Sequence, residues 1–128
     1  MIDHIGLTVS GLKRSRDFYT AALRGLGITV VMEVSAEQTG GGAHAGFGSE
    51  GKPFFWIGDH GRPSGPAHIA FSANSRAQVD SFYQAALKAG GKDNGAPGLR
   101  PHYHANYYAA FVLDPDGNNI EAVCHNPS

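Results

Sequence analysis

Two stretches of the sequence decide the fold: residues 4–27, HIGLTVSGLKRSRDFYTAALRGLG, and residues 68–91, HIAFSANSRAQVDSFYQAALKAGG. They lie 64 positions apart, half the length of the 128-residue chain, and eight of their 24 aligned pairs are identical without a gap. Self-similarity at a fixed spacing is the signature of a repeated structural unit. We therefore expect one domain, residues 1–128, made of two copies of one module, with module one at 1–62 and module two at 63–128.

Each copy has the same predicted order of elements: a strand, a helix, then three strands. A short alternating apolar run opens each copy and fits a half-buried strand. Helical spacing of apolar residues follows, and glycine ends each helix. The strand expected directly after the second helix is poorly marked, whereas the later strands are clear. Between the last two strands, Asp114-Pro115-Asp116-Gly117 has the residues of a type I turn and predicts a hairpin.

These elements predict an α+β fold of two tandem βαβββ modules, with mixed sheets around a central cavity. Helices would cover one side of the sheets, because each sheet must bury its apolar face against another layer. Duplicated modules usually place their equivalent faces around a shared pseudo-twofold axis. The cavity between the modules is therefore the expected place for a ligand.

The composition excludes several function classes. Ten basic residues against eleven acidic ones give a net charge of −1 without a basic cluster, so we expect no nucleic-acid partner. No stretch approaches the roughly 18 apolar residues of a membrane span, so we expect no membrane association and a cytoplasmic protein. No glycine-rich phosphate motif occurs, so we expect no nucleotide cofactor. The one cysteine, Cys124, cannot make a thiolate site, so any metal must be held by histidine and carboxylate.

Three residues are candidate metal ligands. His4 and His68 hold equivalent positions in the repeat and would face each other across the axis between the modules. Glu121 lies in an apolar strand whose neighbouring residues point to the opposite face, which predicts an inward carboxylate. Two imidazoles and one carboxylate suit Fe(II), Mn(II), Ni(II) or Zn(II) and leave positions open for substrate oxygens. Each residue has an alternative interpretation as an exposed or internally paired side chain.

Aromatic residues stand where the first module corresponds to Glu121. Trp56 aligns with Glu121 within one position, so that strand supplies no carboxylate ligand. Trp56 and its neighbour Phe54 would instead form an aromatic side wall for a substrate. They could equally be ordinary core residues.

The segment 98–108, GLRPHYHANYY, has the most unusual local composition of the chain. Arg100 is suited to binding a carboxylate or another anion. His102 or His104 could transfer protons near neutral pH, and Tyr107 could pack against the substrate. These side chains could also be exposed residues of a turn region.

The sequence resembles the vicinal oxygen chelate superfamily, which includes glyoxalase I, extradiol dioxygenases, fosfomycin-resistance transferases and bleomycin-resistance proteins. The motifs that carry the resemblance are DHIGL at 3–7, RDFY at 16–19, AHIAF at 67–71 and DPDGNNIE at 114–121. The resemblance implies paired βαβββ modules, a divalent metal at His4, His68 and Glu121, and a homodimer.

The expected function is that of a metal-dependent enzyme that chelates a small-molecule substrate through two adjacent oxygens. Glyoxalase-like isomerisation, a lyase reaction, is slightly preferred for the size of the chain, and extradiol-type ring-cleaving dioxygenation is the alternative. Trp56 stands where glyoxalase I carries a fourth, carboxylate ligand. A second alternative is a bleomycin-resistance-like protein that sequesters an aromatic or cationic small molecule without catalysis.

Overall fold

The computed structural model describes residues 1–63 and 65–127 of the chain. Its first half forms β1 (Ile5–Thr8), α1 (Leu12–Arg24), β2 (Thr29–Val34), the short α2 (Ala36–Thr39), β3 (His44–Ser49) and β4 (Lys52–Gly58). Its second half forms β5 (His68–Ser72), α3 (Arg76–Lys88), β6 (Lys92–Leu99), β7 (Tyr108–Leu113) and β8 (Asn119–Cys124). Apart from the short α2, the order strand, helix and three strands thus occurs in both halves. No helix among the described residues is long and apolar enough to cross a membrane.

Each half of the chain forms its own four-stranded mixed sheet. The strand order is β1-β4-β3-β2 in the first sheet and β5-β8-β7-β6 in the second. In each sheet the first strand pairs in parallel with the last, and the other neighbours are antiparallel. The predicted fold of two tandem βαβββ modules is confirmed. As far as the chain is described, β1 and β5 are edge strands that share no hydrogen bonds with each other.

Helices α1 and α3 pack against each other and join the two halves into one core. The apolar stripe of α1 buries Phe18 and Tyr19, and that of α3 buries Phe82. Rings from the two sheets also meet, since the centroids of Phe55 and Phe71 lie 5.3 Å apart. The helices cover one face of each sheet. We call the opposite face, which carries Trp56 in the first sheet and Glu121 in the second, the open face.

A buried hydrogen bond links α1 to the hairpin between β7 and β8. The hydroxyl of Tyr19, which is fully buried, donates to Oδ2 of Asp114 at 2.5 Å. The Asp114 side chain also accepts from the backbone nitrogens of Asp116 and Asn118. The backbone nitrogen of Gly117 donates to the carbonyl oxygen of Asp114 at 3.0 Å, which confirms the predicted turn. Burial, then the charge of Asp114 and the bond to it, raise the pKa of Tyr19 well above its ordinary value.

Strand β6, which the sequence marks poorly, is irregular. Its pairing with β7 shifts register on both sides of Gly95, before it resumes at Gly98. Glycine and proline weaken a strand pattern and favour such bulges, which explains the weak signal in KDNGAPGL.

The short helix α2 was not predicted, although its N-terminal signal is present. Ser35 accepts from the backbone nitrogen of Gln38, and the Gln38 side chain accepts from the backbone of Ser35 in return. At the start of α3 a capping box is only half formed. Ser75 accepts from the nitrogen of Gln78, but the Gln78 side chain accepts from Asn74 instead.

Candidate functional site

A buried carboxylate lies on the open face of the second sheet. Glu121 in β8 is 1% exposed, while its neighbours Ile120 and Ala122 pack into the core on the other face. Burying a carboxylate is costly unless its oxygens have partners. Nε2 of His68 lies 2.8 Å from Oε1 of Glu121, and the hydroxyl of Tyr107 donates to Oε2. The inward carboxylate predicted from the strand pattern is therefore present.

His68 is the solvent-exposed member of this pair. It begins β5, and its side chain is 54% exposed, whereas Glu121 lies beneath it. A neutral imidazole that donates from Nε2 satisfies Oε1, and a divalent cation between the two groups could take the place of that proton. The pair is thus reachable from solvent although its carboxylate is buried.

Tyr107 holds the other side of the carboxylate. Burial and then the hydrogen bond to Glu121 raise the pKa of Tyr107 to about 12, so its hydroxyl remains a donor at neutral pH. The ring of His125 lies edge-on to the Tyr107 ring at 5.2 Å, and the Tyr103 ring lies at 5.1 Å. Tyr107 was predicted to pack against a substrate, and in this structure its hydroxyl is used by Glu121.

The two candidate proton-transfer histidines lie on the same connection as Tyr107 but further from the carboxylate. His102 packs against Tyr103, with 4.2 Å between the ring centroids. His104 lies 5.7 Å from His125, and both candidates are exposed. Within the described residues, neither His102 nor His104 hydrogen-bonds to Glu121.

Arg100 and Phe111 complete the open face of the second sheet. Phe111 pairs with Glu121 across β7 and β8, and its ring centroid lies 6.3 Å from that of His68. The guanidinium carbon of Arg100 lies 5.4 Å from the centroid of the Phe111 ring. Sequence reasoning missed Phe111 and His125, although both could have been placed from the alternation that put Glu121 inward.

Trp56 forms the corresponding wall on the first sheet. It lies opposite Gly6 in β1 and opposite Gly46 in β3. A Cβ atom on Gly46 would lie 2.9 Å from the Trp56 ring, so the indole packs directly against this glycine. Phe54 is half-buried on the same strand.

His4 is placed apart from the other two candidate ligands. It is exposed, and its Nδ1 lies 2.8 Å from Oδ2 of Asp3. Across residues 1–63 and 65–127, no group of three or more histidine, cysteine, aspartate or glutamate side chains is positioned to hold a metal ion. One chain therefore brings His68 and Glu121 together without His4, and the metal assignment stays a prediction.

A cavity of about 420 Å³ lies between the two halves of the chain. Its walls come mainly from apolar side chains of β1, β4, β5 and the residues around the end of α1, among them Ile5, Ile28, Phe54, Ile69 and Phe71. The sequence predicted a cavity between the modules. The described cavity lies beside the first strands of both modules, and His68 and Glu121 are not part of its lining.

The sequence matches the Glyoxalase/Bleomycin resistance protein/Dioxygenase superfamily over residues 1–122. The chain belongs to this superfamily, which confirms the resemblance seen in its motifs. A search of curated proteins finds no match to the chain.

Solved structures of the same superfamily share the fold. A glyoxalase/bleomycin resistance protein from Albidiferax ferrireducens T118 is 29% identical, with a TM-score of 0.75 over 95% of this chain and 96% of that one. A single-residue variant of glyoxalase I from Zea mays is 25% identical, with a TM-score of 0.69 over 95% of this chain and 46% of the maize chain. A family enzyme from Burkholderia phytofirmans PsJN is 18% identical, with a TM-score of 0.69 over 98% of both chains.

Proposed function

We propose that the chain is a divalent-metal-dependent enzyme of the superfamily that binds a small substrate through two adjacent oxygens. The observation that carries this proposal is the pair formed by His68 and the buried Glu121. A carboxylate that is almost fully buried, with an exposed imidazole 2.8 Å from one oxygen, is the type of donor set that binds Fe(II), Mn(II), Ni(II) or Zn(II).

The chemistry of these donors fits a metal ion. Imidazole and carboxylate are both common ligands of these cations, and a bound cation would act as a Lewis acid that stabilises negative charge on substrate oxygens. Two ligands from one chain leave room for further ligands. His4 is the third candidate, but within one chain it contacts Asp3 instead.

A second copy of the chain is the proposed source of His4. β1 and β5 each end a sheet, so each presents unpaired backbone groups along one edge. His4 directly precedes β1, and His68 begins β5. If β1 of one copy lies beside β5 of another, His4 approaches His68 and Glu121 across the contact, and a twofold dimer forms two such sites.

The remaining residues of the proposed site position Glu121, contact the substrate or transfer protons. Tyr107 fixes one oxygen of Glu121, which leaves the other oxygen for the metal side. Trp56 and Phe54 supply an aromatic wall from the first sheet. His104, beside His125, and His102 are the proposed groups for proton transfer.

The preferred reaction is a glyoxalase-like isomerisation, a lyase activity. The superfamily match and the 25% identity to the maize glyoxalase I variant support this choice. Ring-cleaving dioxygenation is the alternative reaction for the same ligand set. Oxygen uptake with a catechol separates the two, because only the dioxygenase consumes oxygen, whereas the isomerase converts a 2-oxoaldehyde in the presence of a thiol.

Metal content per chain tests the proposed centre. We expect stoichiometric metal in the wild type after incubation with Fe(II), Mn(II), Ni(II) or Zn(II), and its loss in His68→Ala, Glu121→Gln and His4→Ala. His60→Ala is the matched control, because His60 is an exposed loop histidine outside the site. A wild type that stays empty with all four cations contradicts the metal mechanism.

Mixing two inactive variants tests the shared site. When His4→Ala and Glu121→Gln chains exchange freely, half of the dimers are mixed, and each mixed dimer has one intact site of two. Metal content should therefore recover to about one quarter of the wild-type value. If both variants lose metal alone and the mixture recovers none, His4 acts within its own chain and the shared arrangement is wrong.

A sequestering protein is the second candidate function, favoured by the half-buried Trp56 ring that packs against Gly46. Such a ring offers a stacking surface for an aromatic or cationic molecule. Tight binding of such a molecule by metal-free protein, without turnover when metal is supplied, would favour this function over the enzyme.

A further inference from the structure

Arg100 is a fixed cation on the open face of the second sheet. Its Nη1 donates to the carbonyl oxygen of Gly98, and its Nη2 donates to that of Ala96, both at 2.8 Å. A planar guanidinium held at two nitrogens keeps one orientation. In the part of the chain that the structure describes, no aspartate or glutamate forms an ion pair with Arg100. Its charge is therefore available to a ligand.

Two glycines allow this guanidinium to lie close to the backbone of β6. A Cβ atom on Gly98 would lie 3.2 Å from Nη1, and one on Gly95 would lie 3.3 Å from Nη2. Both distances are shorter than ordinary van der Waals contact. Larger residues at either position would push the guanidinium away from β6, so the absence of side chains there permits its position.

Phe111 lies close to both Arg100 and the pair formed by His68 and Glu121. The guanidinium carbon of Arg100 lies 5.4 Å from the Phe111 ring centroid, and the His68 ring lies 6.3 Å from the same centroid. Phe111 is also the cross-strand partner of Glu121. Arg100 and His68 thus both lie near one aromatic ring.

We propose that Arg100 is the anion subsite of this face and that the substrate is a small carboxylic acid. Guanidinium has five N–H donors, and the two backbone carbonyls engage two of them. The remaining donors can form a bidentate pair with a carboxylate. The carboxylate would bind at Arg100 while the adjacent oxygens of the substrate reach the side of His68 and Glu121. This inference rests on the proposed function, because it takes the open face as the substrate face.

Binding of benzoate and benzamide to metal-free protein, measured by calorimetry, tests the subsite. The two probes have the same shape and differ in charge. We expect wild type to bind benzoate about tenfold more tightly than benzamide, because a charge-assisted pair is stronger than a neutral one. Arg100→Gln should remove this preference, whereas Arg62→Gln, at an exposed arginine between the modules, should retain it.

The opposite results overturn the subsite. One such result is equal binding of benzoate and benzamide to wild type, and another is an unchanged preference for benzoate in Arg100→Gln. A third is the absence of benzoate binding at about 10 mM, a concentration in the range of the dissociation constant expected for so small a ligand. If Arg100→Gln does not fold by circular dichroism, Arg100→Lys decides the question: a severalfold weaker preference supports the bidentate pair, and an unchanged one overturns it. The benzoate test uses metal-free protein, so it is independent of the metal measurements. A negative result in the benzoate test does not contradict the proposed metal site, and a protein that binds no metal can still be tested for benzoate binding.

Discussion

Trp56 and Glu121 occupy the same place in the two sheets. Trp56 lies opposite Gly6 in β1, and Glu121 lies opposite Ala70 in β5, each on the last strand of its module. Both side chains belong to the open face. The two sheets therefore have the same arrangement of strands but different side chains on their open faces. The first sheet carries an aromatic wall, and the second carries a carboxylate with its hydrogen-bond donors.

Gly46→Ala should displace the Trp56 ring. The new methyl group would lie 2.9 Å from the ring, so the indole must move, and we expect a loss of about 1–3 kcal/mol in the free energy of unfolding. Trp56 is the only tryptophan in the sequence, so a shift in intrinsic emission reports the movement directly. Gly6→Ala is the control, because its nearest Trp56 atom lies at 3.8 Å. Identical emission from both variants would contradict this packing.

Tyr107→Phe should weaken the site and the fold together. It removes the donor to Oε2 of the buried Glu121, and an unsatisfied buried acceptor costs about 1–3 kcal/mol. If Glu121 is a metal ligand as proposed, the loss of a hydrogen bond that orients it should also lower metal affinity by about 10- to 100-fold. Urea unfolding and metal titration measure the two effects. Tyr108→Phe is the matched control, since that hydroxyl donates to Asp80 at an exposed position. Equal metal affinity in the two variants would show that Tyr107 does not support metal binding.

Tyr19→Phe should destabilise the contact between the two halves. The fully buried Tyr19 hydroxyl donates to Asp114, which lies in the hairpin of the other half. Its loss leaves one donor fewer on a buried carboxylate, so we expect a loss of about 1–3 kcal/mol at neutral pH. Urea unfolding beside Tyr103→Phe, at an exposed tyrosine, measures this effect. A loss no larger than that of the control would show that the bond contributes little.

The stabilising effect of Tyr19 should disappear at alkaline pH. Burial, followed by the charge of Asp114, raises the pKa of Tyr19 above its ordinary value of 10, so the folded chain keeps a proton that the unfolded chain releases. Stability from this group is fully present below pH 10 and decreases as the pH rises further. The difference in unfolding free energy between wild type and Tyr19→Phe should therefore shrink above this pH. A constant difference would show that folding does not raise the pKa of Tyr19.

The sequence predicted the architecture well because the repeat is visible at the residue level. His4 to Gly27 and His68 to Gly91 share one register, and the structure places both in the same strand-helix unit. The alternation around Glu121 was also sufficient to place its carboxylate inward.

The contacts of the candidate site could not be predicted in the same way. Their signals are tertiary, since Arg100 is held by carbonyls of a bulged strand and Tyr107 reaches Glu121 from a connection without a regular pattern. In the proposed dimer, the position of His4 relative to His68 depends on which two chains form the site. A repeat establishes equivalent positions, but it does not establish which copies lie side by side.

The halves of the chain are joined by helix packing and by the bond between Tyr19 and Asp114, whereas their sheets share no hydrogen bonds in the described part of the chain. In the proposed dimer, folding and assembly would therefore be separate equilibria. A chain can be completely folded while both edge strands remain free. In the proposed dimer, dilution alone would then separate His4 from His68 and Glu121 while each chain stays folded, and the melting temperature would fall with dilution because dimerisation stabilises the folded chain.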